Sequence, residues 1–192
     1  FSLISTVETK KVYPFDFELQ ICYSLDENKL NIDYKVINKS ETTLPFAIGA
    51  HPAFALPGNF EEYSLEFQQA ETLKYYLLAE GLISNNSNEI QLDNKKLGLN
   101  YQWFEKDALV FKTLESKSIT ILKNEKSILK VNFNDFPNLG IWTVQNAPFL
   151  CIEPWFGYSD TLNEYDDFLK KEGIQLLRKN ETFKSNYSVE IL

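Results

Sequence analysis

The chain has 192 residues, a net charge of −8, one histidine, two cysteines and an aromatic content of 15%. That length supports a single domain with a substantial core, read here as spanning residues 1–192. The acidic balance, with Arg178 the only arginine beside eighteen lysines, argues against nucleic acid or an anionic membrane surface as partner.

Short alternating segments follow one another along the chain. The opening "FSLISTV" already alternates, and "DFELQICYSLD" turns through "ENK" into "LNIDYKVIN". Beyond the "NKSETT" turn come "LPFAIGA", "YSLEF", "TLKYYLL", "EIQL", "ALVFKTL", "SITILKN", "SILKVNF", "LGIWTVQ" and "FLCIEPW", with "ETFKSNYSVEIL" last. "AFALPG" reads as a loop, and "NEYDDFLKKEG" (163–173) as a short helical turn or two ended by Gly173. Many short strands with little helix predict an all-β protein, an antiparallel sandwich or barrel.

Cys22 and Cys151 both fall in apolar stretches, which fits buried free thiols in a reducing, cytoplasmic setting. No apolar run reaches the length of a membrane span, and no signal peptide is visible. The absence of methionine and the abrupt start in a strand suggest the C-terminal portion of a longer protein.

Three positions could carry chemistry. His51, the lone histidine, sits in "IGAHPAFALP" between small residues and a proline; it is either an imidazole filling a core or one presented where a strand opens into a loop. Glu153 follows four apolar residues, Phe149 to Ile152, so burial would raise its pKa and favour proton transfer near neutrality. The alternative is a solvated strand-end glutamate. Trp155 beside it offers a flat face for a sugar, or a core tryptophan. Asp107 precedes an apolar strand and serves equally well as a turn residue. Glu105 and Lys106 read as solvated neighbours. One histidine and no ligand-spaced cluster argue against metal, and no cofactor motif or nucleophile elbow occurs.

Taken together, "IGAHPAF", "LGIWT" and "APFLCIEPWFGYSD", with the closing "KKEGIQLLRKNETFKSNYSVEI", resemble the aldose 1-epimerase (galactose mutarotase-like) superfamily and its LacX-like branch. The resemblance covers nearly the whole chain. It implies an antiparallel β-sandwich that binds a free aldose and interconverts its anomers without a cofactor. Glu153 would be the general base at the anomeric hydroxyl, and His51 the general acid at the ring oxygen. Asp107 and Trp155 would contact the sugar, with Asp160 a pocket neighbour. The family's arginine and second histidine, in a motif like His-Gly-Phe-Ala-Arg, have no counterpart here, so the chain is expected to lack an N-terminal segment. A non-catalytic sugar-binding domain, a hexose-6-phosphate epimerase, and a glycosidase using Glu153 and Asp107 are the other readings.

Overall fold

The computed structural model describes residues 1–162 and 167–192. Its strands are β1 Ser2–Ile4, β2 Phe17–Asp26, β3 Lys29–Asn38, β4 Leu44–Phe46, β5 Ile48–Gly49 and β6 Ala53–Ala55. Next come β7 Tyr63–Phe67, β8 Thr72–Ala79, β9 Leu82–Gln91, β10 Lys96–Gly98, β11 Leu109–Phe111 and β12 Ser118–Lys123. The last are β13 Lys126–Asn132, β14 Asn138–Trp142, β15 Phe149–Phe156, β16 Gln175–Leu177 and β17 Thr182–Ile191.

The strands form a two-stranded sheet, β16-β4, an eight-stranded sheet in the order β1-β2-β3-β17-β13-β12-β7-β10 and a seven-stranded one. The last runs β5-β15-β14-β11-β8-β9, with β6 also on β15. The named strand pairs are antiparallel, as in β2–β3, β14–β15 and β3–β17. Between the two large sheets lies one apolar core. The eight-stranded sheet supplies Ile32, Leu65, Phe67, Ile119 and Ile121; the seven-stranded sheet supplies Leu109, Phe111, Leu139, Ile141, Leu150 and Ile152. Each such side chain stabilises the fold by about 1.5–3 kcal/mol through burial. The fold is the expected antiparallel β-sandwich.

Three expectations change. "AFALPG" contains β6, which pairs with Phe149–Cys151 of β15 and so extends the site strand's partner. Cys22 is exposed, because it begins the half of β2, residues 22–26, that is exposed throughout; Cys151 is buried, and both are free thiols. The expected helix over 163–173 falls partly on residues 163–166, outside the described residues, and beyond them is a single 3₁₀ turn, Phe168–Lys170.

Alternation gives the seven-stranded sheet a second, open face. On β15, Leu150 and Ile152 enter the core, which leaves Cys151, Glu153 and Trp155 on the opposite side. The same rule places Gly140 and Trp142 of β14 and Val110 of β11 there.

Candidate functional site

Strand register builds the site. Gly49 of β5 pairs with Trp155, and Ala53 of β6 pairs with Cys151. Between them the ladder continues through Ala50 N–H to Pro154 O (3.0 Å) and Ile152 N–H to Pro52 O (3.4 Å). His51 therefore lies directly across from Glu153, at a position where side chains of facing strands come closest. On the other flank Glu153 pairs with Gly140, which pairs with Val110, which pairs with Tyr76. A parallel row holds Ala53, Cys151 and Trp142.

His51 Nδ1 stands 3.4 Å from Glu153 Oε1. The two differ sharply in exposure: the His51 side chain is 62% accessible and that of Glu153 only 5%. The alternative of a buried, core-filling imidazole is thereby removed, and Glu153 is not a solvated strand end. The His51 ring meets Trp142 edge-on at 5.8 Å. Burial, reinforced by the charge of Asp107, pushes the Glu153 carboxyl up to about 7. The Trp155 N–H, which also donates to Ala50 O at 3.2 Å, offsets part of that rise.

Trp155 lies across two glycines. A Cβ on Gly49 would sit 2.4 Å from one end of the indole, and a Cβ on Gly140 would sit 2.4 Å from the other. Both flanking strands must be bare for the ring to lie flat on the sheet, and the signal was present in "IGAHP" and "LGIW". Gly140→Ala is expected to cost about 1–3 kcal/mol through overpacking. It should also lift Trp155 off the sheet, seen as a lower denaturation midpoint and a shifted tryptophan emission.

A cavity of about 500 Å³ opens over these groups, lined among others by His51, Glu153, Trp155, Tyr158, Leu78 and Val110. Its size and its apolar walls with few polar groups suit one small ligand. A larger groove of about 720 Å³ beside Tyr13 and Phe168 offers no carboxylate or imidazole. Asp107 sits two residues before β11 in a left-handed conformation (φ 77°), its Oδ1 accepting from Ala108 N–H at 2.8 Å. It thus serves the turn, and its charge reaches Glu153. Asp160 is turned to Lys171, at 2.5 Å.

Two features lay outside the sequence reading of the site. Cys151 shares the open face with Glu153, and burial together with that carboxylate pushes its thiol up to about 11. Lys112, two residues after Val110, packs against the Tyr158 ring at 5.2 Å and the Tyr76 ring at 4.8 Å, while its Nζ pairs with Glu172 at 2.8 Å. Alternation along "LVFK" was the available signal for Lys112.

Comparison with known proteins agrees with this fold. The chain is 36% identical to the chromosomally encoded LacX protein of Lactococcus lactis subsp. lactis over 203 residues, covering all of this chain and 68% of LacX. Among solved structures, it superposes on a galactose mutarotase related enzyme from Lactobacillus acidophilus with a TM-score of 0.92. Identity there is 29%, covering 100% of this chain and 67% of that one. A galactose mutarotase-like protein from Lactobacillus casei gives 0.90 at 25% identity, covering 100% and 69%. The aldose 1-epimerase family model matches residues 1–190, and the chain belongs to that family.

Proposed function

We propose that this protein interconverts the α and β anomers of a free, neutral aldose by acid–base ring opening. The observation that carries the reading is the cross-strand pair of His51 and Glu153, 3.4 Å apart, at the wall of the cavity. The two sugar oxygens that exchange protons, the anomeric hydroxyl and the ring oxygen, are bonded to one carbon, so the groups serving them must be adjacent.

In the forward step the Glu153 carboxylate takes the proton of the anomeric hydroxyl while protonated His51 gives one to the ring oxygen. The bond between the anomeric carbon and the ring oxygen breaks, leaving an open-chain aldehyde. Rotation about the bond to the neighbouring carbon presents the other face of the carbonyl. His51, now neutral, retrieves the proton from the chain hydroxyl as that oxygen attacks, and Glu153 returns its own to the carbonyl oxygen. The pair ends as it began, so no cofactor is consumed. Trp155 supports the apolar face of the sugar, and Asp107 acts through its charge on Glu153.

The engagement of Lys112 with Glu172 leaves that cation occupied, which favours a neutral sugar over a phosphorylated one. Polarimetry on freshly dissolved α-glucose and α-galactose tests the reading. Rotation should relax faster with protein than in buffer, and His51→Asn should slow it while sugar affinity persists. Relaxation no faster than in buffer, with sugar still bound, would instead identify a non-catalytic carbohydrate-binding domain.

A further inference from the structure

We propose that the open face of β15 also forms a reversible site for a borderline-soft divalent cation, Zn²⁺, held by His51, Cys151 and Glu153, and that filling it shuts off the sugar reaction. The shut-off rests on the function proposed above; the binding does not.

The three residues come together across β15, with Cys151 and Glu153 on one side of that strand and His51 opposite, in the link between β5 and β6. One ligand atom from each lies within 4.8 Å of the others, and the histidine nitrogen and carboxylate oxygen are already 3.4 Å apart. Zinc bonds of about 2.0–2.3 Å in a tetrahedron imply ligand separations of about 3.3–3.8 Å. The nitrogen–oxygen edge is thus in place, and the sulfur must close by at most about 1.5 Å. The exposed His51 ring and rotation of the Cys151 thiol supply that adjustment.

The donor set of one thiolate, one imidazole and one carboxylate fits zinc and not magnesium or calcium, which take oxygen ligands. Thiolate and carboxylate together carry two negative charges, matching the ion. Three protein ligands leave a fourth position for water. Binding releases the Cys151 proton to solvent, along with any held by His51 or Glu153, and no other bond is broken. Burial favours the protonated thiol without a cation, and a bound cation reverses that local field. With the ion in place, the Glu153 carboxylate is a much weaker base and the coordinated His51 nitrogen can no longer carry a proton, so the pair cannot exchange protons with a sugar.

The test is titration of the intact, chelator-stripped protein with Co²⁺, followed by displacement with Zn²⁺. We expect a sulfur-to-cobalt charge-transfer band saturating at one ion per chain, retained in Cys22→Ser and lost in Cys151→Ala. His51→Ala should weaken binding at least about tenfold. No band in the unaltered protein, or a band lost in Cys22→Ser, overturns the site whether or not Cys151→Ala folds. In parallel, Zn²⁺ at saturating concentration should stop anomerisation, and a chelator should restore it. A saturated band with unimpaired anomerisation overturns the shut-off. A band in a protein that never accelerates anomerisation leaves the site standing and removes the function above.

Discussion

Glu153→Gln is expected to lower the rate of anomerisation by roughly 10²–10⁴-fold while making the protein more resistant to denaturation at pH 8. The two effects share one cause. The carboxyl is largely buried at the cavity wall, where its charge is poorly solvated, and its folded-state value of about 7 lies above the ordinary 4.5. Between those values the folded protein holds the proton more tightly than the unfolded chain, so stability falls as pH rises through that window. At pH 8 the ionised group costs about 3 kcal/mol relative to its protonated form. Glutamine keeps the shape and an acceptor for the Trp155 N–H, carries no charge, and cannot take a proton. Polarimetry alongside urea denaturation at pH 5 and pH 8 checks the pair of claims. The variant should gain stability over the parent at pH 8 and show little advantage at pH 5. An active variant, or one destabilised at pH 8, would contradict the account.

The second large effect is the pH dependence of turnover, measured in chelator-treated buffer. In the proposed reaction Glu153 must be ionised to accept the anomeric proton, so kcat/KM should fall about tenfold per pH unit below about 7. A solvated glutamate would place that limb near its ordinary value instead. Asp107 contributes to the rise through its charge. Asp107→Asn should therefore move the acidic limb to lower pH, even though Asp107 touches its own turn. An unmoved limb would mean that burial alone sets the value.

The sheets were largely legible, because a buried face imposes period-two alternation on segments such as "LNIDYKVIN" and "SITILKN". Residues 84–88 of β9 were not, since "SNNSN" is polar on both faces and acquires its strand from pairing with β8. The site was partly legible. Glu153 stood out as a carboxylate after an apolar run, and His51 by its surroundings. Their adjacency was not, because register across β5, β6 and β15 depends on contacts far apart in the chain. Cys151 was read correctly as buried, but its environment was not: apolar neighbours at 150 and 152 belong to the other face of the same strand. Asp107 was ambiguous for a physical reason, since a residue can hold a turn and bias a neighbouring carboxyl at once.

The cross-strand placement of His51 carries a consequence for how errors in this chain would be punished. Sliding the 48–55 segment past β15 by one residue would reverse its faces, sending the imidazole into the apolar interior and an alanine to the cavity. The misaligned molecule would then be both catalytically dead and burdened with a buried polar ring. Any substitution that loosens the alignment loses turnover and folding yield together, so a screen for retained activity is also a proofreading screen for correct assembly of the sheet.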